Sequence, residues 1–436
     1  MTQEQAFQIY LQGKNIFLTG QAGTGKSYLL GKIIEDAERR NIRVSRTAST
    51  GIAGTHIGGT TIHSWSGIGI KTKLTTEDLF KVKNNRFSSA KIVKTDLLII
   101  DEISMLSANT LDNVDEVCRF VRGKSQPFGG IQVIVCGDFF QLPPVADRIS
   151  QESADFAFNA PSWQGADFAV CYLEKNYRQA GDQVLIGILN RMRAGELTQN
   201  DISVLLSPRN TSQIDLYGTK LFSTNKKVDA HNLVAFYALQ TPIFTYFMQC
   251  FGHQTLVDAM KKNCLSPENL ALRVGTKVMF TVNNHQTGDY YNGTMGEVVE
   301  FHHTGENDDE PPIPVVKIYG TGKIVHVTSH KWERKELDEN GKDKVSARIV
   351  QLPLRWAWAV TIHKSQGCSF DYVHMNLANI FEKNQGYVAV SRARTLDGLS
   401  VEGAHVGSFD MHEVIMQKDK QFRALSKSIE KHCKEA

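Results

Sequence analysis

Eight consecutive residues, Gly20-Gln21-Ala22-Gly23-Thr24-Gly25-Lys26-Ser27, carry glycines, a lysine and a hydroxyl at the spacing G-x-x-x-x-G-K-[ST]. Glycines at these positions let main-chain N–H groups close on phosphate oxygens, and a helix beginning just beyond them adds the favourable end of its dipole. Lys26 is spaced to reach the β- and γ-phosphates, and the Ser27 hydroxyl to ligate Mg²⁺. The nucleotide-binding set expected from this stretch is Gly20, Ala22, Gly23, Thr24, Gly25, Lys26, Ser27 and Tyr28. An apolar run at 15–19 precedes the loop and Tyr28-Leu29-Leu30 follows it. That strand–loop–helix setting predicts a nucleoside triphosphate as ligand.

Asp96-Leu97-Leu98-Ile99-Ile100-Asp101-Glu102 reads as a buried strand ending in two carboxylates. Beside a bound triphosphate, Asp101 would hold Mg²⁺ while Glu102 orients and deprotonates the attacking water. A third strand at 131–137 runs into Asp138-Phe139-Phe140-Gln141-Leu142-Pro143-Pro144, where Gln141 is placed to sense the γ-phosphate. Charge in the transition state calls for arginine, and two candidates are Arg178 and Arg392. An arginine supplied from a second domain makes hydrolysis conditional on closure and is worth about 10³–10⁵ in rate.

The elements that must position these residues follow from periodicity. Strands are expected at 16–19, 42–47, 97–101 and 131–137, with helical stretches between them such as 109–121. Alternation of this kind predicts a parallel sheet covered by helices, with the ligand at the carboxyl ends of its strands. A helix at 183–193 and a strand near 216–223 continue the mixed pattern. From 246 to 349 the texture becomes β-rich, with runs at 277–282, 296–301, 315–319 and 323–328 and turn signals at Asn292-Gly293 and Asn340-Gly341. The acidic stretch 306–310 before Pro311-Pro312 reads as a solvated hairpin tip. The basic segment 411–434 reads as a solvated surface helix.

At 436 residues the chain exceeds one hydrophobic core. Its 49 basic and 46 acidic residues leave a net charge of +3, so a nucleic-acid surface must be a local groove. No run of eighteen apolar residues predicts a membrane span, and the N-terminus lacks signal- or transit-peptide character. Seven cysteines without a C-x-x-C pair argue against zinc and a disulfide framework, and suit a reducing compartment. A cytoplasmic protein is expected.

Further blocks carry a resemblance. They are Thr47-Ala48-Ser49-Thr50-Gly51-Ile52-Ala53-Gly54, then Ile57-Gly58-Gly59-Thr60-Thr61-Ile62-His63-Ser64, and the stretch from Leu111-Asp112 to Pro127-Phe128-Gly129-Gly130. Trp358-Ala359-Val360-Thr361-Ile362-His363-Lys364-Ser365-Gln366-Gly367 and Ser391-Arg392-Ala393-Arg394 complete them. In this order they resemble a superfamily 1B DNA helicase of the petite-integration-frequency (PIF) family.

The resemblance implies an α/β fold of two RecA-like P-loop domains holding ATP and Mg²⁺ between them. It implies a small β-barrel inserted in the second domain and a short wedge insertion, about 64–80, in the first. The corresponding division is 1–174, then 175–245, the insertion 246–349, and 350–436. By position, Gln5 would read adenine, Lys26, Asp101 and Glu102 would do the chemistry, and Gln141, Arg178 and Arg392 would couple γ-phosphate to closure. Thr50, Gly51 and His63 in the first domain, with Thr361, His363 and Lys364 in the second, would grip the DNA backbone. The implied activity is 5′-to-3′ translocation on single-stranded DNA and unwinding of forked duplexes, with G-quadruplexes and RNA–DNA hybrids as further substrates, by a monomer. The long extensions of eukaryotic members are not in this sequence, from which a bacterial or viral context, or a shortened chain, is expected.

Hydroxyl, amide and cationic donors suit a motor that must accept any base sequence. Trp65, Phe139 and Phe140 could stack on bases, although core packing is the expected role of all three. Two rival readings remain at this point: a RecD-like helicase subunit, and an ATP-gated DNA-binding switch that does not unwind.

Overall fold

The computed structural model describes residues 1–69, 71, 73–144, 155–179, 181–209, 211–284, 288–303, 311–337, 343–380 and 382–435. They form two compact units, Met1–Ala180 with Met411–Ala436, and Gly181–Asp410.

The first unit is built on a six-stranded, wholly parallel sheet in the order β3-β2-β4-β5-β1-β6. Its strands are β1 (Ile16–Gly20), β2 (Val44–Ala48), β3 (Thr60–Thr61), β4 (Leu97–Asp101), β5 (Gln132–Cys136) and β6 (Ala169–Leu173). Every residue of β1, β4 and β6 is buried. Continuous apolar runs are what a parallel sheet covered on both faces demands. Helix α1 (Gln3–Leu11) opens with a capping box between Thr2 and Gln5. Helix α2 (Lys26–Arg39) follows Gly25 and buries Leu29, Leu30, Ile33, Ile34 and Ala37. These pack with Ile16, Leu18, Ile134 and Cys136 in one core, each large apolar side chain contributing about 1.5–3 kcal/mol. Helices α3 (Gly51–His56) and α4 (Ile62–Ser66) follow β2 and β3. The predicted wedge stretch 64–80 runs through the end of α4 and into a helix at Thr76–Asn84, with residues 70 and 72 outside the described set.

The C-terminal helix Glu413–Glu435 departs from both expectations made for it. It belongs to the first unit, not the second, and it is not merely a solvated surface helix. Its Ile415 and Phe422 are buried. Phe422 lies edge-on to Phe17 with ring centroids 4.9 Å apart. The Tyr172 amide of β6 donates to Ser426 Oγ at 3.1 Å, and the Tyr172 hydroxyl to Asp419 at 2.9 Å. An apolar stripe facing an aromatic cluster outweighs the basic residues on the helix's other side.

The second unit contains a four-stranded parallel sheet in the order Ala359–Thr361, Thr219–Phe222, Val373–Met375, Leu399–Val401. Thr211–Tyr217 is helical, so the strand predicted near 216–223 starts only at Thr219. Between the parallel strands lies an antiparallel block. Its five-stranded sheet runs Ile324–His326, Ile313–Ile318, Met295–His302, Lys277–Phe280, Leu354–Trp356. A three-stranded sheet joins His330–Leu337, Asp343–Gln351 and Gln249–Gly252, and a pair joins Asn269–Leu272 to Phe244–Phe247. Because Leu354–Trp356 pairs with Lys277–Phe280, the antiparallel block reaches Trp356, beyond the expected boundary at 349. Val278, Phe280, Val298, Val316 and Leu354 form its core. Asn292-Gly293 is a turn, closed by the Thr294 amide donating to Tyr291 at 2.9 Å. The stretch 306–310 and Asn340-Gly341 lie outside the described residues.

Candidate ATPase site and nucleic-acid interface

The glycine loop leaves the carboxyl end of β1 and enters α2. Gly23 and Gly25 take φ +88° and +80°, the left-handed region that a side chain resists. The Lys26 ammonium donates to the carbonyls of Gly20 at 2.8 Å and Gln21 at 2.9 Å. Thr24 is buried and its hydroxyl donates to the Gln21 carbonyl at 2.9 Å. Ala22 is buried, whereas Ser27 and Tyr28 are exposed at the start of the helix.

Parallel pairing brings β4 alongside β5, which in turn flanks β1, so the carboxylate pair and the loop share one sheet edge. Asp101 is 9% exposed. Burial raises its pKa, opposed by the Glu102 amide, the Cys136 thiol and the Lys26 charge. Its carboxylate accepts from the Glu102 amide at 2.9 Å. Glu102 adopts φ 52°, ψ 47°, a left-handed conformation that costs a side-chain-bearing residue about 1–2 kcal/mol. Strain of this kind collects where surrounding structure holds a group for function. Gln141 follows β5 and is 5% exposed, its amide donating to the Asp138 carbonyl at 2.9 Å.

Arg178 lies against the phosphate loop, and in the same unit. Asn176 Nδ2 donates to the Ala22 carbonyl at 3.2 Å and the Tyr177 amide to the Gly23 carbonyl at 2.8 Å. The Arg178 and Gln179 amides both donate to Asn176 Oδ1, at 2.9 and 3.0 Å. The expectation that Arg178 comes from the second domain is therefore corrected: these bonds tie 176–179 to the first. The glutamines also exchange places. Gln5 Oε1 accepts from the Thr2 amide at 2.8 Å and its Nε2 donates to Glu430 at 3.4 Å. It is Gln3 that reaches the phosphate loop, donating to the carbonyls of Thr24 at 3.4 Å and Gly25 at 3.3 Å. The sequence signal for Gln3 was only its neighbourhood to Gln5.

The first set of DNA candidates converges by register. Ala48 of β2 pairs with Thr61 of β3, so Thr50 and His63 each stand two residues beyond that pair at the same sheet edge. Thr50 caps α3, its hydroxyl accepting from the Ala53 amide at 3.2 Å, and Gly51 begins the helix. Burial lowers the His63 pKa, which favours a neutral imidazole with one N–H to offer.

In the second unit Thr361 is 4% exposed and its hydroxyl accepts from the Lys364 amide at 3.1 Å. It shapes the turn that presents His363 and Lys364. The His363 side chain is 39% exposed and stands 3.9 Å from Glu382. Burial, then Arg355, lowers the Lys364 pKa. Arg392 is 1% exposed and donates to the carbonyls of Val388, Ser365 and Cys368 and to Ser391 Oγ. Those bonds clamp the His363-Lys364 turn to the helix Gln385–Val390. Trp65, Phe139 and Phe140 are all buried, and Trp65 Nε1 donates to Ser45 at 2.9 Å, so packing is the role the fold assigns them.

These features describe a RecA-like ATPase edge, and comparison with known proteins agrees. The family model for PIF1-like helicase matches residues 3–201, and that for the UvrD-like helicase C-terminal domain matches 356–398. The ATP-dependent DNA helicase Pif1 of Psychrobacter sp. is 36% identical over 479 positions, covering 98% of this chain and 71% of that protein. The Homo sapiens ATP-dependent DNA helicase PIF1 is 34% identical over 406 positions, covering 92% of this chain and 60% of its own length. Among solved structures, Bacteroides sp Pif1 in complex with ADP-AlF4 superposes with TM-score 0.82 at 29% identity, covering 97% of this chain and 96% of that one. Pif1 helicase from Candida albicans gives TM-score 0.76 at 32% identity, covering 96% and 98%. Bacteroides Pif1 bound to ssDNA gives TM-score 0.64 at 29% identity, covering 96% of each chain.

The chain belongs to the PIF1-like helicase family of ATP-dependent DNA helicases.

Among the described residues no helix is long and apolar enough to cross a membrane.

Proposed function

We propose that this chain translocates 5′ to 3′ along single-stranded DNA and separates forked duplexes, with G-quadruplexes and RNA–DNA hybrids as further substrates, working as a monomer. One observation carries the reading. The phosphate loop, the Asp101–Glu102 pair and the Thr50–His63 grip all stand on the carboxyl edge of a single parallel sheet. Nucleotide chemistry and DNA contact then act on one rigid body.

In this reading Gly20, Ala22, Gly23, Thr24 and Gly25 wrap the phosphates, and Lys26 exchanges its two carbonyl partners for phosphate oxygens. Gln3, which already reaches the loop, and Tyr28 lie toward the nucleoside end. Ser27 and Asp101 fit Mg²⁺, which takes hard oxygen ligands and needs few from the protein when phosphates supply the rest. A divalent cation would also offset the buried Asp101 charge, and when bound it neutralises charge on the phosphates. Glu102 orients the attacking water and takes its proton, Gln141 senses the γ-phosphate, and Arg178 stabilises the charge that develops on it. Thr50, Gly51 and His63, and in the second unit Thr361, His363 and Lys364, hold the sugar–phosphate backbone without reading bases. We read the antiparallel block of the second unit as the family's small β-barrel and the stretch around 64–80 as its wedge.

Strand separation on forked duplexes carrying either a 5′ or a 3′ single-stranded tail tests this. ATP-dependent separation is expected with the 5′ tail. Hydrolysis stimulated by single strands without separation on either substrate would replace the motor with an ATP-gated binding switch.

A further inference from the structure

Ser49 lies between two functional groups of the first unit and touches both sides through its backbone and hydroxyl. On one side is Thr50, the cap of α3 and first of the DNA-grip residues. On the other are the catalytic carboxylates. In the β2–β4 register Ala48 pairs with Asp101, which sets Ser49 opposite the turn after the strand. The Ser49 amide donates to the Asp101 carbonyl at 3.1 Å, and its hydroxyl donates to the Glu102 carbonyl at 2.8 Å. That same Glu102 carbonyl accepts from the Met105 amide at 3.1 Å, so both its lone pairs are engaged.

We propose that Ser49 is a positioning residue that transmits DNA binding at Thr50 and Gly51 to the aim of the Glu102 carboxylate. The inference rests on the DNA-grip reading above and deepens it. Glu102 holds φ 52°, ψ 47°, a backbone conformation that persists in a side-chain-bearing residue only where neighbours enforce it. Among the contacts that hold it, three stand out: the Ser49 hydroxyl, the Met105 amide, and the Asp101 carboxylate that accepts from the Glu102 amide. Of the three, Ser49 alone is chain-adjacent to a grip residue.

The grip side is stiff as well. Gly54 N–H donates to the Thr50 carbonyl at 2.9 Å, and a Cβ built on Gly54 would stand 3.0 Å from the Thr60 main chain. Helix α3 is thus seated on β3, and a load on Thr50, Gly51 or His63 is borne by one packed body. A displacement of Ser49 reaches the Glu102 peptide through one hydrogen bond, and a general base tolerates little misplacement. Ser49 itself contacts neither water nor phosphate in this scheme.

The test compares turnover at saturating oligo-thymidylate with turnover in its absence, in the full chain and in Ser49→Ala and Ser49→Thr. In Ser49→Ala the ratio is expected to fall about five-fold, the worth of one hydrogen bond of about 1 kcal/mol. The KM for ATP and the affinity for DNA should stay near wild type. Ser49→Thr, which keeps the hydroxyl, is expected to restore the ratio. A wild-type ratio in Ser49→Ala overturns the proposal, and so does an equal fall in both rates, which would mark a purely structural serine. Thr50→Ala separates the two readings: unchanged DNA affinity there removes the grip, independently of what Ser49→Ala does to the ratio.

Discussion

A Cβ built on Gly23 would stand 2.5 Å from the Cβ of Arg178. The phosphate loop and Arg178 are thus packed to contact, and the absence of one side chain permits it. Gly23→Ala introduces a clash at φ +88°, where a side chain is already disfavoured. The 176–179 loop must retreat. We expect a stability loss of about 1–3 kcal/mol and a fall in ATP turnover of about 10²-fold. Thermal unfolding with and without ATP, alongside steady-state hydrolysis, checks both parts; wild-type turnover would show that the loop contact is irrelevant to chemistry.

The two arginines answer to different measurements. Arg178 is half-buried beside the loop, so Arg178→Ala should melt near wild type while losing about 10³-fold or more in turnover. Arg392 spends its guanidinium on carbonyls of its own unit, and removing it strands those acceptors in the interior. Arg392→Ala is expected to lose about 3 kcal/mol of stability. Lysine cannot reproduce the planar fork, so Arg392→Lys should recover only part of it. A melting temperature for Arg392→Ala equal to wild type would contradict this anchoring role.

What the sequence disclosed, and what it hid, divides by range. Leu97–Asp101 is predicted and observed with the same bounds, because an apolar run ending in two carboxylates carries its own signal. The phosphate loop is legible for the same reason, every constraint lying within eight residues. The partner of the C-terminal helix was hidden, since the bond from Tyr172 to Ser426 spans 254 positions and leaves no local trace. The sequence points Arg178 to the wrong unit because Asn176, an ordinary polar residue in a loop, is what ties it back. Gln3 carries no periodic cue that separates it from Gln5, and only about half a turn of α1 decides which amide meets the loop. The aromatic trio Trp65, Phe139 and Phe140 lies in the core as its apolar character predicts.

Binding and chemistry should separate at two positions on the sheet edge. Lys26→Ala removes the only residue of the loop with a charge to offer phosphate, so ATP binding itself should weaken sharply. Glu102→Gln keeps the shape and the backbone bonds of the turn but removes the carboxylate proposed as the base. ATP binding should persist while turnover falls about 10²–10⁴-fold. Isothermal titration of a non-hydrolysable analogue against both variants distinguishes them, and tight binding by Lys26→Ala would refute its assigned contact.

His56, the last residue of α3, gives the molecule a predictable acid sensitivity. Burial pushes its imidazole down to about 4, from an unfolded value near 6.5. The sign follows from which state binds the proton. Above pH 6.5 both states are neutral and the residue contributes no pH dependence. Between pH 6.5 and 4 the unfolded chain takes up a proton that the folded helix refuses, so stability falls as pH drops. Below 4 both are protonated and the loss levels off. Because the side chain keeps some exposure, the loss over that interval should come to about 2 kcal/mol rather than the full value of the shift. His56→Gln lacks the titrating group, so denaturant unfolding of the two proteins from pH 7 to pH 4 should diverge by that amount, the wild type weakening faster. Parallel stability curves would mean that the imidazole meets water freely, and that α3 is less firmly seated on β3 than its packing indicates.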